Sequence, residues 1–241
     1  MVEAEKILKA VQAAFEHESR INLHQYPLRM AWSDGNLTLE GEAESIVAKK
    51  LALELAAAVP GVDGIIDRLR VAPAQRMGDG ALRDHVRDAL LQEPALEICT
   101  IQVRDGQKLI TERESTQEPG GRIEVLVEDG VVTLDGRVPS LSHKRLAGVL
   151  AWWAPGSRDV VNALEIVPPQ TDNEDEITDA VRLVLEKNPF VDASQLRIST
   201  NKTIVTLEGE VTNETEKRMA EFDVWYVFGV DKVINKIVSR S

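Results

Sequence analysis

Three stretches of the chain share one alternation of apolar and polar residues. In each, an aliphatic residue, a threonine, a leucine and an acidic residue lead to a glycine, and a second glycine follows twenty residues later. Identical spacing at three places indicates an internal repeat. The stretches are Leu37–Gly41 with Gly61, Val132–Gly136 with Gly156, and Val205–Gly209 with Gly229.

The same order of elements surrounds each motif. Apolar residues at helical spacing, such as Ile7, Val11 and Phe15, predict a helix before it. Alternating residues then predict a β-hairpin, a second helix fills the interval between the glycines, and a last strand follows. Each copy is thus predicted as an α-β-β-α-β unit, with two helices on one face of a three-stranded mixed sheet, which gives an α+β fold. Copies one, two and three span residues 1–71, 80–167 and 174–241.

Helix ends carry their own signals. Ser45 and Ser140 are placed as N-caps of the second helices, and Asn213 with Glu216 fits a capping box. The six repeated glycines are expected to serve backbone geometry. Gly61, Gly156 and Gly229 suit the left-handed residue that ends a helix, and Gly41, Gly136 and Gly209 suit the turn from a strand toward a helix.

Copy two contains an insertion at about residues 95–121. Ile98–Val103 and Lys108–Thr111 alternate on either side of a turn and predict an extra hairpin, followed by a mobile polar loop over residues 112–121. We expect this hairpin to stand off copy two and to rest its apolar side on a neighbouring repeat or a second chain. Its deletion should then leave the fold intact.

Taken together, the three copies resemble the BON domain, a family named from bacterial osmotic-shock and nodulation proteins. The resemblance lies in Leu37–Gly41 with Gly61 and Val62, in Val131–Gly136 with Val160–Leu164, and in Ile204–Gly209 with Gly229–Ile237. Copy one departs from it with Asp67 in place of an asparagine, and copy two with Ser157 in place of a valine. The resemblance implies a small bacterial stress-response module without catalytic activity that binds phospholipid or other envelope components.

Composition narrows the classes of partner. The net charge of −12 is spread over all three copies, so none is a basic module and we expect no nucleic-acid partner. The single cysteine excludes an internal disulfide and a cysteine-based zinc site. The N-terminus lacks the features of a signal peptide, which favours a cytoplasmic protein, or a periplasmic one if a signal was removed, as in many family members.

The sequence contains no recognisable catalytic motif. Nucleophile elbows, phosphate-binding loops and zinc-binding motifs are missing, and the four histidines fall in different elements. We therefore predict a protein that is not an enzyme and has no cofactor, metal site or catalytic residue.

The second helices of copies two and three carry the candidate binding surface. At 100° per residue, an alanine and valine stripe faces the sheet of its own copy, and a basic, apolar and aromatic set lies opposite. Copy one has the basic residue Lys50 there but no aromatic one. The candidate ligand-binding residues are Lys144, Arg145, Val149, Trp152, Lys217, Arg218, Phe222 and Trp225.

Two interpretations of this surface remain open. It can rest on phospholipid headgroups, or it can pack between copies, on a partner protein or in self-association. The first predicts a non-enzymatic protein that binds phospholipid or another envelope component, and the second predicts an interaction scaffold. The exposure of Trp152 and Trp225 distinguishes them.

Overall fold

The computed structural model describes residues 2–115, 117 and 120–240, which fall into two compact units, residues 1–72 and 73–241. The first unit is copy one. Its elements are α1 (Val2–His17), β1 (Arg29–Ser33), β2 (Asn36–Ala43), α2 (Ile46–Ala57) and β3 (Gly64–Val71).

The sheet of copy one is mixed, as predicted. Strand β2 lies in the centre, antiparallel to β1 and parallel to β3. Leu37 and Leu39 of β2 and Phe15 of α1 are fully buried. The alanine stripe of α2 is buried as well, because small residues let a helix approach its sheet closely.

The second unit holds copies two and three. Copy three repeats the plan of copy one, with β11 central in the order β10-β11-β12. Its elements are α5 (Glu174–Lys187), β10 (Leu196–Asn201), β11 (Ile204–Val211), α6 (Glu214–Tyr226) and β12 (Lys232–Ser239). Those of copy two are α3 (Asp79–Gln92), β4 (Cys99–Asp105), β5 (Lys108–Arg113), β6 (Gly121–Glu128), β7 (Val131–Val138), α4 (Leu141–Trp153), β8 (Asp159–Asn162) and β9 (Glu165–Ile166).

The sheet of copy two is larger than predicted. Its strands follow the order β5-β4-β6-β7-β8, with β9 also paired to β7. The insertion forms the antiparallel hairpin of β4 and β5, but the prediction that this hairpin stands off copy two is wrong. Strand β4 pairs in parallel with β6, and Cys99, Ile101 and Val103 are buried in the core that α3 covers. The alternating apolar side of the hairpin therefore completes its own copy. The predicted mobile loop includes positions 116, 118 and 119, which lie outside the described residues.

Three second-helix caps can be compared with prediction. The Ser45 and Ser140 hydroxyls accept hydrogen bonds from the backbone amides of Ala48 and His143, three positions later, as N-caps do. The Asn213 side chain accepts from the Glu216 amide in the same way. The capping box is only half correct. The Glu216 carboxylate accepts from the amides of Thr212 and Asp192 instead of that of Asn213.

Different structural features explain the glycine at each of the repeated positions. Gly136 and Gly209 have φ of 120° and 136°, and a Cβ there would collide with a backbone carbonyl group, that of Arg122 in β6 and that of Gln195 just before β10. Gly61 and Gly229 have the expected positive φ. Gly156 does not, and it is required because a Cβ would collide with the Met77 side chain. The prediction of a left-handed residue is therefore wrong at Gly156.

Candidate functional site

Helix α4 of copy two packs against both α5 and α6 of copy three. The side of α4 that turns away from its own sheet is therefore covered by the next repeat. The surface chosen from the sequence lies largely in this contact.

Arg145 lies at the centre of the contact and is fully buried. Its Nε donates to the Phe228 carbonyl oxygen at 2.9 Å, and its Nη2 lies 2.7 and 2.6 Å from the two carboxylate oxygens of Asp172. The other terminal nitrogen, Nη1, is buried without a hydrogen-bond partner among the described residues. Since Asp172 belongs to the segment between the copies, one guanidinium group joins copy two, the connecting segment and copy three.

Lys144 adds a second cation to this contact. Its Nζ lies 4.6 Å from the centre of the Phe228 ring, in cation–π geometry. Burial lowers the pKa of Lys144, because the charged ammonium loses hydration there.

Trp225 of α6 is also fully buried, with 0% of its surface exposed. Its indole Nε1 lies 3.4 Å from Oε1 of Glu221, which is a long hydrogen bond. Val149 of α4 is equally buried. Neither side chain can touch a membrane or a partner while α4 and α6 remain packed in this way.

Three aromatic residues and a buried acid complete the contact. The Trp152 and Tyr226 rings stack with centres 5.4 Å apart. The Trp153 Nε1 donates to Oδ1 of Asp223 at 2.9 Å, and the Asn188 Nδ2 donates to Oδ2 at 2.6 Å. The Asp223 carboxylate is thus shared by a helix of copy two and a loop of copy three.

Burial dominates the electrostatics of Asp223. Only 4% of its surface is exposed, and desolvation raises its pKa from the ordinary 3.8 to about 6 although both hydrogen bonds oppose that change. Desolvation and the Asp223 charge together raise the pKa of Tyr226 to about 12. The acid is therefore about half ionised near pH 6, and the phenol stays neutral.

A groove of about 380 Å³ opens beside this network, and we call it the aromatic groove. It takes residues from both copies, and Phe190 on its rim is 71% exposed. Most of its described lining residues are aromatic or apolar, so the groove offers surface for contact. The lining consists of Trp153, Asn188, Pro189, Phe190, Met219, Phe222, Asp223 and Tyr226.

The structure divides the residues selected from the sequence into three groups. Arg145, Val149 and Trp225 are buried, and Lys144 and Trp152 are half-buried with partners in copy three. Phe222 lines the aromatic groove. Arg218 is exposed, and Lys217 lies 3.9 Å from Glu214 on its own helix.

Sequence reasoning missed four residues of the site. They are Trp153, Asn188, Asp223 and Tyr226. The hydrogen bonds from Asn188 and Trp153 to Asp223 join residues that are 35 and 70 positions apart in the sequence. The adjacent pair Trp152 and Trp153 was the available signal, because two bulky aromatic residues in succession cannot both face one side of a helix. No pattern indicated which acid they would meet.

Two classes of feature are missing from the described part of the chain. No group of three or more His, Cys, Asp or Glu side chains there is placed to hold a metal ion. No helix in residues 2–115 or 120–240 has the length and apolar character needed to cross a membrane.

Comparison with known proteins gives a family and distant structural likenesses. Two of the solved structures that the chain resembles are of CdsD, a structural protein of the type III secretion system of Chlamydia trachomatis. The first, its C-terminal domain, is 15% identical with 98% of both chains covered and a TM-score of 0.27. The second is 16% identical, with 97% of this chain and 92% of that chain covered and a TM-score of 0.25. Likenesses of this size say nothing about function, and no curated protein matches the sequence.

The family comparison is specific. The BON domain model matches residues 4–73, 109–168 and 173–241, which correspond to the three copies. The middle match begins within β5 and so omits α3 and β4, because the insertion separates these elements from the rest of copy two. The chain belongs to the BON domain family and carries three copies of that domain.

Proposed function

We propose that this chain is a non-enzymatic binding protein whose copies two and three act together as one recognition unit for a partner protein. The observation that carries the proposal is the aromatic groove. Its lining comes from α4 of copy two and from α6 and the loop after α5 of copy three, so it exists only while the two copies are packed together.

The buried second-helix faces argue against their use on lipid. A helix that rests on headgroups needs its aromatic and basic residues at the surface. Here Trp225 and Arg145 are both 0% exposed. The net charge of −12 also opposes approach to an anionic membrane, where each basic residue contributes only about 1 kcal/mol. The interaction-scaffold interpretation is therefore favoured over phospholipid binding through these faces.

The groove has the composition of a protein-binding surface. Aromatic residues and methionine are enriched at the centres of interfaces, and exposed apolar patches rimmed by polar groups mark such sites. Phe190, Phe222 and Met219 supply this character. The apolar lining favours a partner segment with bulky apolar side chains, and the net charge of −12 favours one that also carries a basic residue.

Selection from a phage-displayed library of random peptides tests this proposal on the intact chain. Peptides rich in aromatic or aliphatic residues with Lys or Arg should be enriched. The Phe190→Ala/Phe222→Ala variant should bind them roughly tenfold or more weakly, as expected for interface anchors. Ile234→Ala/Val238→Ala is the matched control, because these residues of β12 are 39% and 60% exposed and do not line the groove, and it should bind like the parent.

Two outcomes would contradict the proposal. Enriched peptides that bind all three proteins equally would place recognition elsewhere. Failure to enrich any peptide, together with a blue shift of tryptophan emission on vesicles of phosphatidylcholine and phosphatidylglycerol, would return the groove to lipid binding.

A further inference from the structure

Copy two contains a second pocket, remote in sequence from the aromatic groove. It encloses about 320 Å³ beside the paired ends of β6 and β7, at the low end of the range for small-molecule sites. Arg122, Arg137, Thr100, Ser115 and Gln117 contribute its polar lining, and none of the described lining residues is acidic. We call it the arginine pocket.

The two arginines stand directly opposite each other. Arg122 of β6 and Arg137 of β7 are cross-strand partners, so their side chains leave the same face of the sheet. Like charges in this position repel and disfavour the pairing. A ligand of opposite charge would reverse that effect.

The carboxylates nearby do not neutralise the pair. Glu124 lies 3.7 Å from Nη1 of Arg122, but it also accepts a 2.7 Å hydrogen bond from Nε of Arg104. The Arg137 side chain makes no hydrogen bond or ion pair to a described residue. Among the described residues, one guanidinium group is thus shared weakly and the other is unpaired.

In copy three, the charges at the equivalent position neutralise each other. Its equivalent pocket, of about 230 Å³, has Gln195 and Glu210 where copy two has Arg122 and Arg137. Arg240 donates to Glu210 at 2.7 and 2.9 Å there. Copy one also has an acid, Glu42, at this position after the repeated glycine. The fold leaves a pocket in copies two and three, and only copy two lines it with two cations.

We propose that the arginine pocket binds the phosphate group of a small ligand. Guanidinium groups match phosphate oxygens in geometry and form charge-assisted hydrogen bonds with them. The Thr100 hydroxyl accepts from the Ser115 amide at 3.1 Å, which leaves its own proton to donate to a bound anion. Thr100 and Ser115 both belong to the insertion, so the insertion supplies part of the site.

Calorimetric titration of the intact chain with inorganic phosphate at low salt tests the proposal. The parent should bind, and Arg122→Gln/Arg137→Gln should bind roughly tenfold or more weakly, because it removes the charge-assisted hydrogen bonds to the phosphate oxygens. Arg29→Gln/Arg197→Gln is the matched control, since it removes the same charge from strand residues that line no part of the pocket. It should retain parental binding.

A single substitution protects the test against a folding defect. Arg137→Glu places in copy two the acid that copies one and three already carry, so the fold should accept it and phosphate binding should be lost.

Flotation with vesicles of phosphatidylcholine and phosphatidylglycerol distinguishes the source of the phosphate group. Arginine-dependent binding to vesicles assigns a lipid headgroup, and arginine-dependent binding to phosphate alone assigns a free phosphorylated ligand. No binding of either probe by the parent, or equal binding by all variants, would overturn the proposal.

Discussion

Trp225→Ala should destabilise the unit formed by residues 73–241 by about 3–5 kcal/mol, as truncation of a buried aromatic side chain does. Trp225 is fully buried, so its truncation removes packing contacts on every side of the indole ring, together with its 3.4 Å hydrogen bond to Glu221. Since a domain is stable by about 5–15 kcal/mol, the variant should lose a large part of its stability.

Urea denaturation followed by far-ultraviolet circular dichroism measures this loss without depending on the deleted fluorophore. The matched control is Phe190→Ala, which truncates an aromatic residue of the same unit that is 71% exposed. It should change the free energy of unfolding by no more than about 0.5 kcal/mol. The full chain is used for both, so the contribution of residues 1–72 to the transition is the same.

The result that refutes this reasoning is a cost below about 1 kcal/mol for Trp225→Ala, indistinguishable from that of Phe190→Ala. Trp225 would then be accessible in solution, and the packing of α6 on α4 would not persist. The second-helix faces would again be candidates for a lipid surface.

Three further predictions follow from the same unit. Asp172→Ala should cost about 3 kcal/mol by leaving the Arg145 charge buried and unpaired, and Arg145→Met/Asp172→Ala should recover much of that loss in a double-mutant cycle. Because the folded-state pKa of Asp223 is raised from 3.8 to about 6, its protonated form is favoured on folding and its contribution to stability is lost as pH rises through that window. Stability profiles of the parent and Asp223→Asn should therefore diverge by about 1.4 kcal/mol per pH unit between about pH 4 and 6. Deletion of residues 99–113 should unfold copy two, measured by loss of its cooperative transition, because it uncovers the core beneath β4.

Most of the fold was predictable because its signals are local and occur three times. The alternation that ends at Gly136 sets a strand, Ser140 sets the next helix start, and the alanine stripe sets the buried side of that helix. The mixed sheet followed, since a short turn joins antiparallel strands and a helical connection permits parallel ones. These relations hold within one copy and need no distant information.

The position of the inserted hairpin was not predictable in the same way. The alternation of Cys99, Ile101 and Val103 showed that one side of β4 must be buried, but it did not show against what. Strand β4 pairs in parallel with β6, so that Cys99 lies opposite Gly121. In the sequence, the second strand of the hairpin and the following loop separate these two strands. Nothing in the pattern of either strand specifies that partner.

The candidate site was predicted in part for a related reason. The helical projection indicated that Arg145 and Trp225 could not reach their own sheets; the structure places Arg145 in the contact between copies and buries Trp225 completely. It could not show that Trp153 meets Asp223, because such a hydrogen bond depends on how two repeats dock. The arginine pocket was likewise missed, since the opposition of Arg122 and Arg137 appears only once the strand register is known.

The burial of Arg145 affects how this array can gain or lose repeats during evolution. Removing copy three together with the connecting segment would leave the Arg145 guanidinium group without Asp172 and the Phe228 carbonyl. A substitution at residue 172 would likewise be tolerated only together with one at residue 145. Copies two and three should therefore be inherited as a pair with coupled substitutions.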